Sequence, residues 1–500
     1  VNPLLLSIAL VFQALPPLPV PDTLPPVGRE AAEALAFPPL TFVPSPVSEY
    51  PVAGVPVFHL YDPSLPLVDV FVQLRGGISN FPREDAPALS GLHSLLRNGG
   101  TLRLPPDSVD AALDLLALQL SLGSGGGGAF ASLNTLTQTL DAGLDLFREI
   151  LLEPAFDAEA VEVWRGQELD QIRRRIDDPG SLAFSEFNRL MFGDHPVGWV
   201  FTEAEFLPSL DIDSEEPSDP LGSERLRDLH RRLYCRENLL LGVAGDLTWA
   251  EAEPKIETFL EAWPACPAPL PPAPRSDLRR GRGVFILPRE VEQTTVILAG
   301  PGGIRQEDSP EFFASRIANF ILGGGGFTSR VFSRVRTERG LAYGASSLWT
   351  TPIREEGLVG VVTATRPERT VEAVELLFEI LEDFRTEPPS DAEFSSALDQ
   401  ILNGYVFAFE SARQIVGRQM GNRAQRLPDT WLERFLEGIQ EVNRESVLQV
   451  ARTHIRPEEM TLLLVGDARR FGPGLEAFGP LYRLSPDGEI SPWTEPWTEP

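Results

Sequence analysis

Apolar positions along the chain follow two periods, and each predicts a different element. Short apolar runs that close on paired glycines, Val-Phe-Val-Gln-Leu-Arg-Gly-Gly-Ile at 70–78 and Thr-Val-Ile-Leu-Ala-Gly-Pro-Gly-Gly-Ile at 295–304, read as β-strands. Between such runs, apolar residues recur three and four apart, the spacing of an amphipathic helix. In the first half this predicts helices from Pro87 to Asn98, from Leu140 to Leu152 with Pro154 as the stop, and from Ala158 to Ile176. A further helix opens at Asp107-Ser-Val-Asp110 and would place Val109, Leu113, Leu116 and Leu120 on one face, ahead of a Gly-rich strand region from Ser121 to Thr135. In the second half the pattern predicts helices at Glu311–Leu322, Thr370–Phe384 and Asp391–Phe409, with strands at Leu341–Thr350 and Gly357–Thr365.

The two halves also resemble each other. Gly-Gly-Ile ends a strand at Ile78 and again at Ile304, and Ala244-Gly-Asp246 ends an apolar run as Val465-Gly-Asp467 does. The offsets, 226 and 221 residues, nearly agree, which implies a duplicated unit of that length. Closely spaced prolines from Pro264 to Pro274 exclude helix and central strand and so mark the junction. The expected organisation is an apolar leader and Pro-rich tether at 1–47, a first lobe at 48–263, a linker at 264–281, a second lobe at 282–480 and a tail at 481–500, whose Trp-Thr-Glu-Pro repeats from Trp493 read as disordered or as an edge-lying strap. The fold class is α+β: two homologous lobes, each a mostly antiparallel sheet with helices packed on one face.

Charge narrows the function classes. The 72 acidic and 43 basic side chains leave a net charge of −29, which repels nucleic acid and anionic membranes, so no nucleic-acid partner is expected. Lys255 is the only lysine. Cys235 and Cys266 form no metal-binding or disulfide pattern and read as two unpaired thiols. The run from Leu4 to Leu15 has the length of a signal-peptide core and is too short for a membrane span. It predicts a periplasmic or secreted protein, or a cytoplasmic one if the run is no signal.

The densest cluster of chemistry lies at Leu-Gly-Gly-Gly-Gly-Phe-Thr-Ser-Arg, 322–330, and Arg-Thr-Glu-Arg-Gly-Leu-Ala-Tyr, 336–343. No Gly-Lys-Ser/Thr ending supports a phosphate loop. Helix, turn, helix and strand would instead set Arg336 in a last helical turn and Tyr343 on the next strand, where both can donate to a carbonyl oxygen that becomes negative. The competing reading pairs Arg336 with Glu338 and packs Tyr343 as core.

These segments resemble the insulinase or pitrilysin-type zinc peptidases over residues 48–480, through Gln293-Thr-Thr-Val-Ile-Leu, Ile321-Leu-Gly-Gly-Gly, Thr328-Ser-Arg330, Arg336 to Tyr343, Phe192-Gly-Asp-His-Pro196 and Ala244-Gly-Asp246. The resemblance implies a two-lobed chain forming half of a clamshell chamber, with Arg336 and Tyr343 holding the substrate carbonyl. It places Gly323, Gly324, Gly325, Gly326 and Phe327 at the substrate, although a tight interhelical turn explains the glycines equally. In that family the first lobe carries HxxEH, whose histidines and a distant Glu bind zinc while the inner Glu activates water.

Here the motif is missing. Laid ungapped on Gly100-Thr101, the histidine positions fall on Gly91 and Leu95, the catalytic Glu on Ser94 and the third ligand on Gln171. His93 lies about 200 degrees around the helix from the ligand face and reads as polar surface. His195 reads as a turn cap, and His59, His230 and His454 as structural. The resemblance therefore implies no metal in this chain, and a zinc-bearing homologous subunit as partner that would hold an extended peptide substrate. A catalytically inactive peptide-binding or structural member, like core subunits of respiratory complexes, is the alternative.

Overall fold

The computed structural model describes residues 44–125, 127–207, 221–486 and 488–495. The apolar run at 4–15, most of the Pro-rich tether and the second Trp-Thr-Glu-Pro repeat lie outside the described residues.

The first half contains β1 (Ser48–Val52), β2 (Val55–Tyr61), β3 (Leu67–Arg75), α1 (Ala86–Asn98), α2 (Pro106–Leu115), β4 (Gln119–Gly125), β5 (Gly128–Leu136), α3 (Leu140–Leu152), α4 (Ala158–Asp177), α5 (Pro179–Phe192), α6 (Ser223–Leu233), β6 (Leu239–Gly245) and α7 (Trp249–Glu261). The second contains β7 (Gly283–Pro288), β8 (Thr294–Pro301), α8 (Pro310–Asn319), β9 (Ala345–Trp349), β10 (Leu358–Thr365), α9 (Thr370–Thr386), α10 (Asp391–Tyr405), α11 (Ala412–Ala424), α12 (Trp431–Glu441), α13 (Arg444–His454), β11 (Thr461–Gly466), β12 (Leu481–Leu484) and β13 (Ile490–Pro492).

Two sheets result, ordered β1-β2-β6-β3-β5-β4 and β13-β12-β7-β11-β8-β10-β9. Both are mostly antiparallel, with β2–β6 parallel in the first and β7 parallel to β11 and β12 in the second. The α+β class expected from the two periods is the class observed. The Gly-Gly-Ile runs became β3 and β8, one in each sheet, and the Gly-Asp runs became their paired neighbours β6 and β11. The second sheet continues past residue 480 through β12 and β13, which form its edge.

Three local expectations change. Helix α2 stops at Leu115 because Ala117 turns the chain at φ 52°, so Leu116 caps the helix and Leu120 belongs to β4. Strand β9 begins only at Ala345, because the Leu341 N–H bonds back to the Val335 carbonyl at 2.9 Å and holds 341–344 against the preceding helical turn. The two cysteines are not unpaired thiols: Cys235 and Cys266 form a disulfide that ties the end of α6 to the start of the Pro-rich linker. They lie 31 residues apart without a motif, and only the intervening β6–α7 excursion returns the chain to within 4.9 Å at Cα.

Strand alternation explains how the halves hold together. On one face of the first sheet, Val57, Val70, Val72, Leu133, Leu241 and Val243 pack into the core of their own half. The other face presents Phe58, Leu240 and Ala244, and α11 from the second half covers it with Ala412, Val416 and Met420. A Cβ on Gly242 would stand 2.3 Å from the Met420 sulfur, so the bare backbone admits the helix. The converse holds for the second sheet. Val284, Ile286, Val296 and Leu298 face inward, while Phe285, Leu287, Ile297, Leu463 and Val465 face α5 from the first half through Leu182, Ala183, Phe187 and Met191.

Each sheet is therefore covered on both faces, one helix coming from the opposite half. Both exchanged helices start on side-chain caps: the Asp178 carboxylate accepts from Ser181 N, and Ser411 forms a capping box with Gln414. Arg413 at the head of α11 ion-pairs with Asp69 of β3 and donates to Ser132 Oγ at 3.1 Å. Phe187 is 2% exposed, so Phe187→Ala should cost about 3–5 kcal/mol in denaturant unfolding. A loss near zero would mean that α5 does not seal the second sheet.

Candidate functional site

The Gly-rich turn is close-packed at its start and open at its end. Helix α8 widens into a π-helical turn at Phe320–Gly324, and a Cβ on Gly323 would lie 2.1 Å from the Ser347 amide nitrogen of β9. Gly325 lies against the Phe320 ring, and Gly326 takes φ 67°. The next residue, Phe327, is 75% exposed. Thus Gly323 and Gly325 serve packing, and Gly326 turns the chain so that Phe327 stands in solvent.

The following helical segment is pinned from behind. Arg330 forms a two-pronged pair with Glu393, at 2.6 and 3.0 Å, and Arg334 pairs with Glu379 and Asp383. Burial works against ionisation of Glu393, but hydrogen bonds from Arg330 and Ser390 outweigh it and hold its pKa at about 2. A second π-helical turn, Ser333–Glu338, then carries Arg336 in its last residues.

The Arg336 guanidinium carbon lies 4.5 Å from the Tyr343 ring centre, 5.0 Å from Phe332 and 5.7 Å from Phe327. No carboxylate pairs with it among the described residues, Glu338 included. Tyr343 is 83% exposed and sits in the loop before β9, not on that strand. The structure thus brings together Arg336, Tyr343 and Phe327 and excludes the packed-core reading of Tyr343. Aromatic faces position the guanidinium without neutralising it, which leaves its N–H groups and the phenol available to an incoming acceptor. Sequence reasoning missed Phe332; its spacing of four from Arg336 on a helix was the available signal.

The positions where the resemblance puts zinc ligands cannot hold zinc. Gly91 and Leu95 are buried on α1, and a Cβ on Gly91 would meet the Trp164 indole of α4 at 2.3 Å. The indole fills the volume that a first histidine would need. Ser94 accepts from Asn98 at 3.1 Å, and Gln171 is exposed on α4. Glu168 of α4 accepts a hydrogen bond from Trp164, and burial raises its pKa. A lone carboxylate beside an indole offers one of the three protein ligands that catalytic zinc takes. The other cluster of ligand type among the described residues, Cys235, Glu237 and Cys266, is spent in the disulfide.

The histidines have structural partners. His195 caps Pro196–Gly198 by accepting from Val197 N and reaches the Pro274 carbonyl at 3.2 Å. His59 and His230 bond the carbonyls of Leu247 and Leu151, each at 2.8 Å. Burial lowers the pKa of His230 to about 4. His454 is buried 3.8 Å from Glu311. His93 is not plain surface: it is half-buried, hydrogen-bonded to Ser124 Oγ of β4 at 3.1 Å, and burial lowers its pKa.

The chain thus combines two α+β halves, an exposed Arg336–Tyr343 cluster, and an indole in the position where the resemblance puts a metal ligand. Residues 220–401 match the model of the peptidase M16 inactive domain. The chain is 28% identical to an uncharacterized zinc protease of Streptomyces coelicolor over 345 residues, 67% of this chain and 72% of that one. A non-peptidase homologue, YmxG of Helicobacter pylori, is 20% identical and spans 84% of this chain and 93% of its own length. The crystal structure of a peptidase M16 inactive domain from Pseudomonas fluorescens superposes with a TM-score of 0.73 at 24% identity, covering 84% of this chain and 98% of that one. The periplasmic protease PqqL of Escherichia coli shares the fold at TM-score 0.71 and 13% identity, over 87% of this chain and 49% of PqqL.

Dialysis against excess zinc followed by elemental analysis should leave the purified chain without stoichiometric metal. One retained zinc per chain, lost on Glu168→Gln, would overturn this reading of α1 and α4.

Proposed function

We propose that this chain is the non-zinc-binding subunit of a two-chain M16 metallopeptidase. A homologous partner supplies the zinc and the catalytic Glu, and this chain supplies Arg336 and Tyr343. The observation that carries the reading is the state of Arg336: stacked on three aromatic rings, without a carboxylate, beside an exposed phenol. A retained packing arginine would be expected to have an acid partner, as Arg330 and Arg334 do.

In the shared site, the partner's metal would supply an activated water for attack on the peptide carbonyl. Arg336 and Tyr343 would donate hydrogen bonds to the oxygen as it gains charge, and the aromatic setting would keep both groups oriented before the substrate arrives. The Gly326–Phe327 turn would contact an extended peptide as the two chains enclose it in a clamshell chamber. The disulfide between Cys235 and Cys266 and the signal-like apolar run favour an exported, periplasmic setting, the compartment named for PqqL. Among the described residues no helix is long and apolar enough to cross a membrane.

The alternative is a peptide-binding or structural protein without a catalytic contribution, which the name of the Helicobacter pylori homologue favours. Reconstitution separates the two. The chain alone should not cleave an unfolded peptide, and mixing it with the zinc-bearing homologue should create activity. Tyr343→Phe or Arg336→Ala should each lower that activity on the order of a hundredfold. Full activity with both substitutions would leave the structural alternative standing.

A further inference from the structure

Helix α11 covers the first sheet with one stripe of side chains and lines a cavity with another. Ala412, Val416 and Met420 lie against the sheet, while Gln414, Arg418, Gly421 and Asn422, spaced three and four apart, belong to the second stripe. Together with the C-cap residue Gln425, and with Gln306 from the loop after β8, they line a space of about 390 Å3. That volume is within the range of small-ligand sites.

Charge in the cavity runs against the charge of the chain. The net charge is −29, yet no carboxylate is part of this lining among the described residues. Of the three arginines on α11, Arg413 pairs with Asp69, and Arg423 pairs with Glu49 and Asp429. Arg418, between them, has no ion pair among the described residues and lies over the Phe409 ring at 5.2 Å. A ring face orients a guanidinium and leaves its N–H edge open to an acceptor.

The carboxamides give the class of ligand. Asn422 is only 9% exposed, and its Nδ2 has no hydrogen-bond partner among the described residues. A buried amide in that state is costly until a ligand or a water completes it. The Gln414 Oε1 accepts from Ser411 N at 3.2 Å, which leaves its Nε2 to donate. One guanidinium thus stands among four carboxamides, groups that each donate and accept. A carboxylate joined to an amide has the matching chemistry, because the guanidinium can take the carboxylate by two prongs while carboxamides bond the amide N–H and C=O. Gly421 leaves the room, since a Cβ there would meet no atom within 4 Å. We infer that this cavity binds a free peptide C-terminus, with Arg418 holding the terminal carboxylate and Asn422 the last peptide group. The site does not depend on the assignment of Arg336 and Tyr343.

The test uses the purified chain without any partner, so its outcome is separate from that of the shared-site reading. Fluorescence anisotropy would follow the peptide Gly-Ser-Gly-Ala-Ala, labelled at its N-terminus, as the free acid and as the C-terminal amide, with N-acetylalanine and acetate as competitors. The free acid should bind at least about tenfold more tightly than the amide, and N-acetylalanine should displace it at concentrations where acetate does not. Arg418→Gln should remove the preference for the free acid, and Gly421→Leu should weaken its binding about tenfold by filling the cavity, both with an undiminished thermal melt. Equal binding of acid and amide, or an unchanged preference in the folded Arg418→Gln chain, would overturn the site. Acetate competing as well as N-acetylalanine would overturn the peptide assignment in favour of any small carboxylate.

Discussion

The exchange of α5 and α11 is the constraint on which the rest of the structure depends. A sheet that alternates Phe285, Leu287 and Leu463 with Val284, Ile286 and Leu464 has two apolar faces, and a lobe with helices on only one side would leave the second exposed to water. Each half solves this with a helix that begins in the other, so neither half is a complete core by itself.

The same separation of support from exposure governs the Arg/Tyr cluster. Acids on α9 and α10 are used on Arg330 and Arg334, the two arginines that anchor the segment, and the residue between segment and solvent receives aromatic rings instead. A carboxylate partner would spend the charge of Arg336; a ring face orients it and leaves most of it unspent. On the first half the opposite occurred. The indole of Trp164 and the side chain of Leu95 occupy the space that metal ligands would take, and a stable apolar contact replaces a hydrated cation.

Much of this was legible in the pattern of residues. The repeat of Gly-Gly-Ile and Gly-Asp set two similar sheets, because glycine turns and apolar runs are local signals. Leu140–Leu152 formed between its predicted ends, with proline as the stop. What escaped was non-local. Nothing near Cys235 announces Cys266, and nothing near Phe187 announces that its helix belongs to the far sheet. The missing metal ligands could be read by position, but the reason the space is dry, the indole four residues before Glu168, needs two helices in register. Phe332 was likewise silent, since it matters through the guanidinium it faces.

The central claim is that Tyr343 faces a substrate peptide only inside an assembly with a zinc-bearing homologue. A photo-crosslinking residue placed at 343 tests it directly, with a non-cleavable extended peptide and each chain present alone or together. The account predicts a crosslink between position 343 and the peptide that appears only when both chains are mixed. Equal crosslinking by this chain alone, or none in the mixture despite a formed complex, would contradict it.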